Sequence, residues 1–251
     1  MHPRLTPPGP VSLTDGPGYL TALLDSPDTR NPLSAALVDA LLRAVEEAQR
    51  RPGCHALVIR AAGPAFCTGL PLAPGRAPWH RGATPWDLFE KLADSAVPTV
   101  AVVDGEATGG GTALAAACDL VIAAPGARWR LTEGLLGLVP AMALPFLARR
   151  IGPQRALTLV LTAEEIDAPT AERLGLADRL AADPDTELRR CLRDLRRLPP
   201  GTVGALKRYR RRAFPWPPDL GAAAAALLDE RLASPETRTR LAGLTPPGST
   251  P

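Results

Sequence analysis

The chain has 251 residues, with 22 glycines and 29 prolines, a hydrophobic content of 45% and a formal charge of +3. That length and balance predict one soluble α/β domain with a sizeable core, and the glycine and proline content, though high, falls short of a disordered composition. The longest apolar stretch, residues 134–148, is broken by Pro140 and Pro145, and residues 1–4 lack the apolar segment of a signal peptide, so the cytoplasm is the expected compartment.

Residues 11–24 read as an antiparallel pair of strands turning around Asp15 and Gly16. Asn31-Pro32-Leu33-Ser34 opens a helix over 34–51 whose apolar positions are Leu37, Leu41, Leu42 and Val45. Residues 57–60 (LVIR) predict a buried strand that leads into the loop AAGPAFCTGLPL at 61–72. Residues 73–86 are rich in Pro, Gly, Arg, His and Trp, and predict a mobile loop of the length that often covers an active site. A helix follows at 89–95, then a β-branched strand at 99–103, a turn at 104–108, three glycines at 109–111 and an alanine-rich helix at 112–118. Beyond it come a strand at 119–123 and helices near 144–150, 156–161 and 168–174. A basic helical region at 186–212 and a last helix at 221–232 follow, and the tail after Ser234 is expected to be disordered.

Two loops carry the chemistry. Gly109, Gly110 and Gly111 head a helix, where bare backbone admits close approach and the first N–H groups lack intrahelical partners. Upstream, Gly69 permits a turn that exposes the N–H of Leu70. Two such donors from separate strand-to-helix junctions can converge on one carbonyl oxygen as an oxyanion hole. Cys54, Cys67, Cys118 and Cys191 show no paired spacing and no nearby histidine, so a metal centre and a redox motif are not expected. Cys67 lies in the first loop but has no base within reach in sequence, and reads as a small buried residue. The chain has no GxSxG elbow, Walker loop or GxGxxG.

RNPLS at 30–34, AFCTGLPL at 65–72, GGGTALAAACDLVIAA at 109–124, LTEGLLGLVP at 131–140 and LTAEEIDAPTAERLGLADRL at 161–180 resemble the crotonase, or enoyl-CoA hydratase/isomerase, superfamily. The resemblance implies an α/β fold of repeated ββα units over residues 1–185, with a C-terminal helical trimerisation region at 186–233 ahead of the 234–251 tail. It implies a homotrimer or dimer of trimers, and a thioester substrate on CoA or phosphopantetheine with no further cofactor. It also implies that Leu70 and Gly110 supply the oxyanion-hole N–H groups, flanked by Gly69 and Gly109, and that Thr68 lies where the loop meets the carrier. Hydratases of this family use two glutamates. Here the first position is Ala113, leaving Glu133 as the single acid/base residue, and Pro71 replaces the usual Asp after the first oxyanion residue.

FCTGLPL, GLVPAMALPFLARRIGPQRA and LRRCLRDLRRLPPGTVGALKRY are similar to the crotonase-type dehydratases of polyketide β-branching cassettes. That likeness implies dehydration of a carrier-bound 3-hydroxy-3-methylglutaryl thioester to a 3-methylglutaconyl thioester. Arg76, His80, Arg81 and Lys91 are the candidate cations for the substrate's free carboxylate. Residues 188–212 contain ten Lys or Arg, Lys207 among them, against one acid, Asp194. Such a run suits an acidic acyl carrier protein, and with only Tyr209 as an aromatic it is a poor nucleic-acid surface. A Δ3,Δ2-enoyl isomerase and a decarboxylase remain open, as does a non-catalytic scaffold that binds acyl carriers, although the retained Glu133 and both glycine loops speak against the scaffold.

Overall fold

A computed structural model describes residues 9–73, 79 and 82–243 of the chain. Its first sheet begins with β1 (Val11–Gly16) and β2 (Tyr19–Leu24), antiparallel with Val11 opposite Leu24 and Gly16 opposite Tyr19. Their turn runs through Gly18 at φ +82, two residues beyond the predicted centre. β3 (Leu57–Ala61), β5 (Thr99–Val103), β7 (Leu120–Ala123) and β10 (Arg179–Leu180) extend the sheet in parallel, in the order β1-β2-β3-β5-β7-β10. The second sheet orders β4 (Ala65–Cys67), β6 (Glu106–Thr108), β8 (Arg128–Arg130) and β9 (Ile166–Asp167), the first three parallel.

The two sheets share strands pairwise along the chain. β3 passes into β4, β5 into β6 and β7 into β8, and each pair is followed by helix. This is the repeated ββα arrangement expected from the resemblance. The corner between β5 and β6 needs Gly105 at φ +108, because a Cβ there would lie 2.2 Å from the Pro64 carbonyl oxygen.

Helix α1 (Ala35–Arg50) follows its apolar stripe, burying Leu37, Leu41 and Val45, and Ser34 caps it by accepting a bond from the Leu37 N–H at 3.2 Å. Helix α2 (Pro85–Asp94) starts four residues before the predicted 89. Thr84 and Asp87 form a reciprocal capping box and Pro85 occupies the first turn. Helix α3 (Gly110–Ala117) carries the glycine motif and is almost wholly buried. Sheet one explains the unbroken apolar strand TVAVV. One face meets the main core, while Val58, Val100, Val102 and Ile122 pack on the other with Leu188 of α7 (Pro184–Leu195). The few aromatics concentrate inside, with Phe66, Phe89, Trp129 and Phe146 fully buried.

The remaining helices are α4 (Leu144–Ile151), α5 (Pro153–Thr162), α6 (Ala168–Leu174), α8 (Thr202–Ala213), α9 (Leu220–Ala233) and α10 (Pro235–Ala242). The predicted helical region at 186–212 is thus two helices, interrupted at Pro199-Pro200-Gly201. The expectation of a disordered tail from residue 234 is corrected over residues 235–242. Ser234 caps α10 by accepting from the Thr237 N–H, and Thr237 and Leu241 are buried on its inner face. Among the described residues no helix is long and apolar enough to cross a membrane.

Candidate active site

The two glycine loops meet. Gly69 has φ +76, and a Cβ there would lie 2.7 Å from the Thr108 carbonyl oxygen and 2.9 Å from the Gly110 nitrogen. A Cβ on Gly110 would lie 3.8 Å from the Leu70 nitrogen. The amides of Leu70 and Gly110 therefore sit side by side at the head of α3, and neither donates a backbone bond to another described residue outside the regular elements. The triple glycine has three separate neighbours. A Cβ on Gly109 would meet Glu133 Oε1 at 2.7 Å, one on Gly110 the Leu33 side chain at 3.0 Å, and one on Gly111 the Cys67 carbonyl oxygen at 1.9 Å.

Glu133 opens a single 3-10 turn, Glu133–Leu136, that ends at Gly137 in the left-handed region. Its carboxylate faces the glycine loop. Oε2 is closed off from solvent and has no hydrogen-bond partner among the described residues. Burial raises the pKa to about 7, against a smaller lowering by the backbone N–H groups of Thr132 and Glu133, and no charged side chain among the described residues contributes. An acid of that strength both takes and returns a proton near neutral pH.

These groups line a narrow cavity of about 70 Å³ together with Thr68, Leu72, Phe89, Val139, Met142 and Leu228. Thr68 is half-buried, and its hydroxyl donates to the Arg30 carbonyl at 3.1 Å. Glu133 is the single titratable side chain among the described lining residues. Ala113 is fully buried inside α3, so the position where hydratases carry a second glutamate holds a methyl group. Cys67 is fully buried and its thiol is pushed up to about 12, which leaves it inert as a nucleophile.

The structure brings together Glu133, Leu70, Gly110, Thr68, Gly69 and Gly109. It does not bring Lys207 with them. Lys207 was expected on a carrier-binding surface, yet it is buried and paired with Asp119 at 2.5 Å, and it donates to the Leu92 carbonyl at 3.2 Å. The reason is helical phase: position 207 falls on the inner face of α8, against the C-terminal end of α2. Arg210 donates to Ala93 O at 2.6 Å, and Arg211 pairs with Glu90 and Asp94 at the same helix end. Part of the basic run therefore caps a helix. Arg76, His80 and Arg81 lie outside the described residues. Lys91 sits 4.0 Å from Glu46 and does not line the cavity.

Sequence reasoning missed the wall formed by α9. Ala224 and Leu228 close the cavity from the C-terminal side, although nothing in the alanine run GAAAAALL marks it as pocket lining.

The family model for enoyl-CoA hydratase/isomerase matches residues 18–217. The chain belongs to the enoyl-CoA hydratase/isomerase family. A Thermus thermophilus protein described as an enoyl-CoA hydratase is 36% identical over 166 residues, covering 63% of this chain and 66% of its own length. A Mycobacterium tuberculosis protein, also described as an enoyl-CoA hydratase, is 34% identical over 183 residues, 70% of this chain and 72% of its own. In fold, the chain is similar to a Bacillus subtilis protein described as a polyketide biosynthesis enoyl-CoA hydratase. The TM-score is 0.82 at 24% identity, with 96% of this chain and 98% of that chain covered.

Proposed function

We propose that this enoyl-CoA hydratase/isomerase family member dehydrates a 3-hydroxyacyl thioester through an enolate, with Glu133 as the single acid and base. The observation that carries this reading is the buried Glu133 carboxylate, whose Oε2 has no partner among the described residues, set against the paired amides of Leu70 and Gly110. The thioester oxygen sits between those two N–H groups. Glu133 takes the α-proton, and the C–H electron pair moves onto the thioester oxygen. As the enolate collapses, the β-hydroxyl departs and takes the same proton from Glu133, leaving as water. One carboxylate suffices when both groups leave from the same face. Each oxyanion donor contributes about 10²–10³ in rate.

The substrate we propose is a 3-hydroxy-3-methylglutaryl thioester on an acyl carrier protein, converted to the 3-methylglutaconyl thioester. Its support is the similarity of FCTGLPL, GLVPAMALPFLARRIGPQRA and LRRCLRDLRRLPPGTVGALKRY to the β-branching dehydratases. Arg193, Arg196, Arg197, Arg208 and Arg212 remain exposed to meet an acidic carrier. Large apolar residues exposed on single molecules, Leu161 of α5 and Phe214 after α8, favour assembly into a trimer or a dimer of trimers.

A second reading is favoured by the lining itself. None of its described side chains is cationic, which suits a 3-enoyl thioester without a free carboxylate, and one carboxylate also suffices to move a double bond from Δ3 to Δ2. Decarboxylation is less well suited, since departure of CO₂ itself generates the carbanion and requires no base.

Intact-mass spectrometry of the carrier protein separates these readings. With a carrier-bound 3-hydroxy-3-methylglutaryl group, the expected product has lost water and kept CO₂. Loss of both marks a bifunctional catalyst. No mass change, together with rapid migration of the double bond in a 3-enoyl thioester, transfers the assignment to the isomerase.

A further inference from the structure

The base-bearing turn is held from outside by the last two helices of the described chain. Arg231 of α9 donates through Nε to the Gly137 carbonyl at 2.7 Å. Thr237 of α10 donates through its hydroxyl to the same oxygen at 3.2 Å, and Arg240 donates to the Leu135 carbonyl at 3.0 Å. These carbonyls belong to the turn that starts at Glu133, and internal bonds tie its ends together, from Leu138 N to Glu133 O at 2.9 Å and from Gly137 N to Gly134 O at 3.1 Å. The fit is close. Gly137 lies at φ +76, and a Cβ on it would meet the Thr237 hydroxyl at 2.8 Å. Thr237 is fully buried although α10 is mostly polar, and Ser234 in turn donates to its hydroxyl at 3.0 Å.

We infer that Thr237 and Arg231 are positioning residues for Glu133, so that the C-terminal helix pair fixes the base against the oxyanion loop. The inference rests on the reading of Glu133 as the base. Among the described residues Glu133 has no side-chain hydrogen-bond partner, and its Oε2 has no partner at all. Among the described residues it is therefore the backbone of the turn that sets where the carboxylate points, and two side chains converging on one carbonyl hold that backbone. Reach matters here, because a reacting group displaced by about 1 Å costs roughly 10²-fold in rate. The cavity itself is walled by Ala224 and Leu228 of α9, whereas no residue of α10 lines it. Loss of the Thr237 bond therefore acts on the base and leaves acyl binding in place. The charged groups around the turn are otherwise engaged. Arg231 lies 4.0 Å from Glu236, Arg240 lies 3.5 Å from Glu236, and Arg130 donates to the Ala163 carbonyl at 2.7 Å.

The test is exchange of the α-protons of butyryl-CoA in D₂O, followed against pH for the wild type, Thr237→Val, Thr237→Ser and Arg231→Met. Butyryl-CoA has no β-hydroxyl, so exchange reports the base and the oxyanion hole independently of dehydration. The expected result for Thr237→Val is a loss of roughly tenfold or more in the exchange rate at saturation, with KM within twofold. Its acid limb should move from near pH 7 toward the ordinary carboxylate range as water reaches the carboxylate. Thr237→Ser, which keeps the hydroxyl, should restore both, and Arg231→Met should match Thr237→Val in direction. Unchanged rate and acid limb in Thr237→Val overturn the inference, as does a loss that Thr237→Ser fails to restore. Wild-type protein that exchanges no α-proton overturns the reading of Glu133 as the base, and the inference with it.

Discussion

Replacing Glu133 with Gln should stop turnover and, at the same time, stabilise the fold above neutral pH. In the unfolded chain the carboxyl titrates near the ordinary 4.5, and in the fold near 7. Between those values the folded protein holds a proton that the unfolded chain has released. Stability therefore falls as pH rises through that window, and the full cost is present above pH 7. The gap corresponds to ~3 kcal/mol, at about 1.4 kcal/mol per pH unit. Gln matches the protonated carboxyl in size and never ionises, so the variant escapes this cost. For a chain of this length that gain amounts to about 5–10 °C in melting temperature at pH 8. At pH 5, near the lower end of that window, only about a quarter of the gain should remain. Thermal unfolding followed by circular dichroism at both pH values checks the argument, alongside turnover of any accepted thioester. Equal melting at pH 8, or a gain of the same size at pH 5, would refute burial as the origin of the raised pKa.

Three further outcomes follow from the geometry. Gly69→Ala forces a side chain into the left-handed region and against Thr108 O and Gly110 N, so kcat should fall by about 10²-fold or more in steady-state assays as the paired amides separate. Lys207→Met should destabilise the protein by about 3–5 kcal/mol in denaturant unfolding, because Asp119 is left without its cation, whereas a carrier-docking role for Lys207 would leave stability unchanged. Reversing the exposed Arg196 and Arg197 to Glu should lower kcat/KM for a carrier-bound substrate at least tenfold more than for the same acyl group on free pantetheine, since steering depends on the partner's charge; equal losses on both substrates would remove the carrier from the account.

Much of the site was legible because its chemistry lies in backbone and spacing. The strand TVAVV followed by three glycines gave both the β5–α3 unit and the oxyanion helix, and Ala113 already marked the missing second carboxylate. What escaped was short or depended on tertiary phase. Strands β4, β6, β8 and β9 have two or three residues each, too few to show a period of two. The start of α2 was written in Thr84 and Asp87, a capping pair that a long Pro- and Gly-rich segment obscured. Charge alone could not place Lys207, since a lysine facing a half-buried aspartate and one facing water look alike in sequence. Helix α10 was missed because PETRTRLA is polar. Its fold depends on Thr237 and Leu241, one turn apart, finding partners on the turn of Glu133 and in the core.

The central claim is that Glu133 alone moves the proton on a thioester held by Leu70 and Gly110. Its most direct test is α-proton exchange of butyryl-CoA in D₂O, read by mass spectrometry for the wild type and Glu133→Gln. The wild type should exchange with an acid limb near pH 7, and Glu133→Gln, with its fold intact, should show none above the uncatalysed rate. Exchange by Glu133→Gln within about threefold of the wild type would place the base elsewhere and contradict the mechanism.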